Sequence, residues 1–236
     1  GTSSERRFEW KDIAGLTPRQ PLVLKVNAVD DDAPKISARR ETQDQVVLDS
    51  EVLNFDLHVA DDFGIRRAGL EWTGVAGTAS DARPARGDKI AAAGEPEKKE
   101  MTARATFCAE REGVAPQTLE IRAWADDNLP GRKRAYSATF MVHVLNKTDH
   151  ALWLTERFGK WLQYARESYE REQQLHATNK ELRSLAAAEL DRPQNRHRVS
   201  QQAAAESANA ERLDNLTQAG RQMVDQATKN PEFDAR

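Results

Sequence analysis

Phe140-Met141-Val142-His143-Val144-Leu145-Asn146-Lys147-Thr148-Asp149-His150-Ala151-Leu152-Trp153-Leu154 carries the chain from one regular pattern into another. Up to Leu145 the apolar residues alternate, with Phe140, Val142 and Val144 on one side, the two-residue period of a half-buried strand. Past Thr148 they recur every three or four residues, the period of a helix. Asn146-Lys147-Thr148-Asp149 supplies the polar start of that helix, with Thr148 or Asp149 expected at the N-cap. Composition switches at the same point. Ten of the 12 glycines and seven of the nine prolines precede Thr148, and the 89 residues after Lys147 hold only Gly159, Gly220, Pro193 and Pro231 as breakers. The fold class that follows is α+β with its two kinds of structure segregated, an antiparallel β module running into a long α-helical hairpin or coiled coil.

Working back from the switch, the same alternation recurs at 21–29, 35–40, 52–60, 68–73, 101–109, 118–125 and 136–145. In the last run Tyr136, Ala138, Phe140, Val142 and Val144 share a face. Residues 74–99 read as a long exposed loop with at most one weak strand. Six or seven short strands over about 110 residues predict a sandwich of immunoglobulin type, and a small barrel would use the same pattern.

One motif closes three of these strands. Val29-Asp30-Asp31-Asp32-Ala33-Pro34, Ala60-Asp61-Asp62-Phe63-Gly64 and Ala125-Asp126-Asp127-Asn128-Leu129 each leave an apolar run into consecutive acids and then a turn. Leu22-Val23-Leu24-Lys25-Val26 also parallels Leu119-Glu120-Ile121-Arg122-Ala123, a weak internal repeat. In a sandwich the three turns lie at one pole, which would gather Asp30, Asp31, Asp32, Asp61, Asp62, Asp126, Asp127 and Asn128. Carboxylates so close need a cation or basic partners. Ca²⁺ takes six to eight oxygen ligands and is the candidate ion. The alternative is that these acids cap turns while Arg66, Arg67, Arg132 and Lys133 neutralise them.

Those turns are where the chain resembles cadherin-like repeats: Asp30-Asp31-Asp32-Ala33-Pro34 is similar to the acidic linker between repeats, Ala60-Asp61-Asp62-Phe63-Gly64 to their acidic turn, and Ala125-Asp126-Asp127-Asn128 to their late acidic loop. The resemblance covers residues 20–147. It lacks the family's Glu-containing motif and the Asn of its linker. It implies an Ig/cadherin-like β-sandwich at 33–147, closing strands of a preceding, partial sandwich at 1–32, and a helical hairpin or coiled coil at 148–236.

In the helical part Leu154, Phe158, Trp161, Leu162, Ala165 and Tyr169, then Leu175, Leu182, Leu185, Ala186 and Leu190, mark the expected seam. Trp153, Phe158, Trp161, Tyr164 and Tyr169 are expected to pack on the sandwich or a partner helix. Asp191-Arg192-Pro193 interrupts the pattern, since proline suits the first turn of a new helix. A second helix over 194–229 carries Val199, Ala203, Ala210, Leu213, Leu216, Met223, Val224 and Ala227 near one stripe. Its Ala-rich segment 201–210 has little to bury alone, so an antiparallel hairpin is expected.

The totals narrow the function. Thirty-five basic and 38 acidic residues give a net charge of −3, without the basic excess of a nucleic-acid footprint. The densest basic cluster, Arg132-Lys133-Arg134, sits among acids and reads as a salt-bridge partner. Mean hydropathy is −0.77 and no apolar run is long enough to span a membrane. Cys108, alone of its kind, lies in a strand and reads as a small apolar residue. His58, His143, His150, His176 and His197 show no metal-ligand spacing, and no phosphate loop, nucleophile elbow or HExxH occurs. The expectation is a non-enzymatic structural and interaction segment of a larger extracytoplasmic envelope protein, periplasmic or cell-surface, with a membrane-anchored parent. Its helices would bind a protein partner or self-associate, without nucleic acid or membrane insertion. The architecture is similar to that of large membrane-anchored bacterial envelope proteins. The alternative is a carbohydrate- or peptide-binding accessory module of an enzyme, with Trp72 and an exposed Trp124 as stacking platform. An acidic hydrolase site at Asp61, Asp62 and Asp126 is a third reading.

Overall fold

A computed structural model describes residues 3–77, 84–95 and 97–233. The chain is α+β, with eleven strands followed by three helices among those residues. The strands are β1 (Ser4–Phe8), β2 (Leu22–Val26), β3 (Lys35–Arg40), β4 (Val46–Leu48), β5 (Leu53–Ala60), β6 (Ile65–Gly74), β7 (Arg86–Ala93), β8 (Glu100–Phe107), β9 (Thr118–Asp127), β10 (Ala135–Tyr136) and β11 (Phe140–Leu145). One sheet runs β4-β11-β9-β6-β7, with β10 also on β9, and a second runs β3-β5-β8. Neighbours are antiparallel except β4, which lies parallel to β11 with His143 opposite Val46.

The alternation read in the sequence explains why the two sheets share a core. Leu53, Phe55, Leu57 and Val59 of β5 face Ala68, Leu70 and Trp72 of β6 and Leu119, Ile121, Ala123 and Ala125 of β9. Phe55 meets Phe140 edge-on at 5.4 Å between centroids, and Trp72 meets Phe107 at 5.1 Å. A side chain of this size taken fully out of water stabilises by about 1.5–3 kcal/mol. Cys108 is buried as expected, its thiol against the Asp49 carbonyl at 3.5 Å.

Several local expectations need correction. The stretch 74–99, expected as an exposed loop with at most one weak strand, contains β7, eight residues paired with β6 at the sheet edge; residues 78–83 and 96 of it lie outside the described set. The alternation of β7 is hidden because Lys89 and Asp88 occupy an edge strand with most positions open to water. The run 136–145 is broken at residues 137–139. Ser137 turns its hydroxyl to the Ala123 amide, so Tyr136 leaves the core face and binds Glu71 through its hydroxyl at 2.9 Å. β1 and β2 pair only with each other, Phe8 opposite Leu22 and Ser4 opposite Val26.

Helix α1 (Lys147–Ser184) begins at Asn146, not at Thr148 or Asp149: the Asn146 side chain accepts from the Asp149 amide at 2.8 Å. It ends before the expected Asp191 break. Leu185 turns extended, a four-residue helix α2 (Ala187–Leu190) follows, and α3 (Pro193–Lys229) starts with proline in its first turn as predicted. The two long helices, each about 55 Å, form the expected antiparallel hairpin. Lys147 meets Asn230, Trp161 meets Leu216 and Leu175 meets Gln202 through side-chain to carbonyl hydrogen bonds of 2.8–2.9 Å.

The seam differs from the expected stripe. Buried residues repeat at seven: Leu154, Ser168, Leu175 and Leu182 on α1, and Gln202, Asn209, Met223 and Asn230 on α3 and its cap. Trp161 and Leu216 fill the same series and are half-buried. Phe158, Leu162, Tyr169, Val199, Leu213 and Val224, all assigned to the stripe, stay exposed. Leu154, Trp161, Leu175, Leu182, Leu216 and Met223 of the expected stripe do form the seam, polar side chains that hydrogen-bond across it hold the register, and the remaining apolar members lie one face away.

The hairpin is anchored at its open end. His150 is wholly buried, its Nε2 donating to Gln226 Oε1 (3.0 Å) and its Nδ1 accepting from Asn230 Nδ2 (3.2 Å). Lys229 reaches the β module, donating to Asp44 Oδ2 and Glu51 Oε1, both at 2.9 Å.

Candidate functional site

The acidic pole forms in part. Asp31 precedes β3, Asp61 follows β5 and Asp127 ends β9, and one carboxylate oxygen from each lies within 4.8 Å of the others. Gly64, at φ +124°, lets the β5–β6 turn double back so that Asp61 Oδ2 accepts from the amides of Phe63 (3.2 Å) and Gly64 (2.7 Å). Asp62 and Asn128 flank the trio: Asp62 Oδ2 accepts from the Asp32 amide at 3.4 Å, and Asn128 Nδ2 donates to the Gly64 carbonyl at 3.0 Å. Asp30 and the Asp32 residue are exposed beside it.

Asp126 does not join them. Its neighbour in β9 faces the pole, so Asp126 points to the other side of the sheet. There Arg67 Nε binds it at 2.8 Å and Arg134 Nε stands 3.6 Å away.

Two of the trio, Asp31 and Asp127, share a guanidinium. Arg132 Nη1 donates to Asp31 Oδ1 (2.8 Å) and Asp127 Oδ2 (2.7 Å), and the same side chain binds the carbonyls of Asp31 and Asp32. Burial alone would lower its pKa, but Asp127 and Asp31 outweigh that and hold it above the ordinary arginine value. Ca²⁺ needs six to eight oxygens converging on one point. Here the inward oxygens of two carboxylates and two carbonyls converge on Arg132, and Asp126 is turned away. The residues as they stand fit an arginine better than a calcium ion. Asp61 Oδ1 alone remains buried without a hydrogen-bond partner. Of the four basic residues expected to neutralise the pole, Arg132 does so, whereas Arg67, with Arg134 of the basic cluster, pairs with Asp126 on the other side of the sheet.

Trp124 corrects the expectation of an exposed platform. It lies on the outer face of β9 yet is 0 % exposed, and Trp72 is 5 % exposed in the core. The Arg134 guanidinium covers the Trp124 ring at 3.8 Å from its centroid and Arg67 stands at 5.6 Å. The opposite approach is open only because residue 69 is glycine; a Cβ there would sit 2.8 Å from the indole. Neither tryptophan offers a ring to a sugar.

A second surface has more reach. Thr155, Phe158 and Trp161 of α1 line an open groove of about 820 Å³ with Thr217, Gly220 and Val224 of α3, and Arg221 and Asp225 also border it. Helical spacing extends that face in both directions. It comprises Ala151, Thr155, Phe158, Leu162, Ala165 and Tyr169 on α1, and Ala210, Leu213, Thr217, Gly220, Val224 and Ala227 on α3. None of the twelve is charged. Phe158 (48 %), Leu162 (49 %), Tyr169 (63 %) and Val224 (62 %) are left open to water. The opposite face carries Arg157, Glu167, Arg171 and Arg212. The signal was in the sequence as a run of uncharged positions at three- and four-residue spacing. It was read there as the hairpin's own seam.

No family model matches the chain, and no curated protein matches its sequence. Among solved structures, Spo0M, a sporulation control protein of Bacillus subtilis, aligns over 54% of this chain and 56% of its own at 15% identity and TM-score 0.37. A CARDB domain from Pyrococcus furiosus, in complex with di-metal ions, aligns over 49% and 94% at 12% identity and TM-score 0.28. A Niemann-Pick type C2 protein from Japanese carpenter ant aligns over 49% and 96% at 12% identity and TM-score 0.32. The chain thus spans little more than half of the sporulation protein. At these scores the likenesses lend it no function.

Proposed function

We propose that this chain is a non-enzymatic structural and interaction segment of a larger extracytoplasmic envelope protein. In that reading an Ig/cadherin-like β-sandwich serves as spacer, and the helical hairpin is the part that associates with other protein. The observation that carries it is the uncharged face of twelve residues on a hairpin whose own seam already buries other positions. Soluble chains seldom leave a contiguous apolar strip of this length uncovered.

The β1–β2 ribbon supports the spacer half of the reading. Phe8, Leu22, Leu24 and Val26 lie on one side of it together with Ser4 and Arg6, and Glu5, Arg7, Val23 and Lys25 on the other, where Glu5 pairs with both bases. A two-stranded ribbon is marginal alone in water, and an apolar side of this kind suits the closing hairpin of a preceding module. Periplasmic or cell-surface placement follows from the likeness of the acidic linker to those between cadherin-like repeats.

The test is the paired variant Leu162→Glu with Val224→Glu. Both side chains are half-exposed or more, so the melting temperature of the dilute chain should stay within a few degrees of wild type. Binding of an apolar fluorescent dye should be lost. A large drop in melting temperature would mean that the face packs within the chain, and absence of dye binding to wild type diluted until it is monomeric would mean that no accessible apolar surface exists.

A further inference from the structure

We propose that a second copy of this chain covers the open helical face, giving a four-helix bundle in which α1 of each copy lies on α3 of the other. This rests on the association reading above and names its partner. The first support is self-complementary size. The face mixes large and small side chains on both helices: Phe158, Leu162 and Tyr169 with Ala151 and Ala165 on α1, and Leu213 and Val224 with Ala210, Gly220 and Ala227 on α3. With each copy's α1 on the other's α3, Phe158 falls beside Gly220, Tyr169 beside Ala210 and Val224 beside Ala151. A two-fold axis parallel to the helices sets α1 against the second copy's α3, antiparallel, and puts large residues over small ones. Stacking α1 on α1 would instead crowd the rings and leave the small residues of α3 facing one another across a gap.

The second support is charge. Lys147–Asn230, Trp161–Leu216 and Leu175–Gln202 define one constant register along the hairpin, and the parallel two-fold carries it across the interface. In that register Arg166 stands level with Glu211 of the second copy and within a turn of its Asp214, while Glu156 stands level with its Arg221. All five are exposed, and none has an ion-pair partner among the described residues. Arg166 and Asp214 both flank the apolar strip, so this base meets this acid at its rim, twice by symmetry.

The third support is area. The uncharged strip is about 27 Å long and two helices, roughly 20 Å, wide. Two copies bury on the order of 1,000 Å², about the level at which a specific interface becomes stable.

Sedimentation of the full chain at micromolar concentration should give a dimer. Arg166→Glu should weaken it about tenfold, and adding Glu211→Arg and Asp214→Arg in the same chain should restore it. Geometry is read by cross-linking. A Leu162→Cys chain mixed with a Thr217→Cys chain should yield the mixed disulfide, since wild-type Cys108 is buried. A dominant Leu162→Cys homodimer would overturn the arrangement, and a chain that stays monomeric would overturn the second copy as occupant. A monomer that binds the apolar dye leaves the association reading intact with another partner. A monomer that does not bind it removes both.

Discussion

Arg132 shows how one side chain can settle what a cluster of acids is for. The sequence placed eight oxygen-bearing residues at one pole; the fold brings Asp31, Asp61 and Asp127 together and has two of them share a guanidinium. Wild-type melting should therefore be the same in millimolar Ca²⁺ and in chelator. Arg132→Met removes the resident cation, so the variant should melt several degrees lower in chelator and recover with Ca²⁺. A wild-type chain that itself melts higher in Ca²⁺ would show that the ion displaces or supplements Arg132. Two other residues set an alkaline limit. Burial would lower the Lys229 pKa, but Asp44 and Glu51 raise it above the ordinary lysine value; burial first, and then Glu71, raise the Tyr136 phenol. A raised folded pKa stabilises fully below the unfolded value, and that contribution is lost as pH climbs through the folded one. Stability should hold to about pH 10 and fall above it, and Tyr136→Phe should lessen the fall in melts taken up to about pH 11.

At the scale of the element, the two long helices are held in register by polar contacts. Asn209 is 1 % exposed; its Nδ2 donates to Glu172 at 2.9 Å, but its Oδ1 is buried without a partner. An unsatisfied buried carbonyl is costly, while a buried amide in a helical seam fixes alignment. Asn209→Leu should raise stability by about 1 kcal/mol and loosen the register. Denaturant melts would show the first, and spin-label distances between α1 and α3 the second. A destabilised variant would mean that the Glu172 contact outweighs the orphaned carbonyl. The helices also show why the apolar stripe was legible while its role was not. Seam positions repeat at seven and include Ser168, Gln202 and Asn209, which no hydrophobic pattern would select. Phe158, Leu162 and Val224 have the right spacing for a seam, and only the packing shows them facing outward. The edge strand β7 was legible only as a weak strand of unplaced bounds, for the related reason that an edge buries too little to force alternation.

Across the whole molecule, the β module and the hairpin are joined by a small buried polar junction. Asn230 is 0 % exposed and bonds both the Lys147 carbonyl and His150, with Lys229 beside it bound to Asp44 and Glu51. Asn230→Ala would leave a buried imidazole nitrogen and a carbonyl unpaired, at about 2–3 kcal/mol. Amide protection of α1 and α3 should then be lost at a lower temperature than that of β5 and β9, where the wild type melts as one. Coincident transitions in the variant would show that this junction does not couple the two parts.

The sequence by itself determined the segregated α+β class, the strand-to-helix switch near Thr148, and the antiparallel hairpin with its proline-led return. Each of these follows from local periodicity, caps and breakers, which neighbouring residues alone can express. Only the tertiary structure decided that Arg132 fills the acidic pole, that Trp124 is sealed beneath Arg134 and that part of the apolar stripe faces outward. Those outcomes depend on which distant side chain arrives at a site first in space, and neither composition nor spacing encodes a distance across the fold.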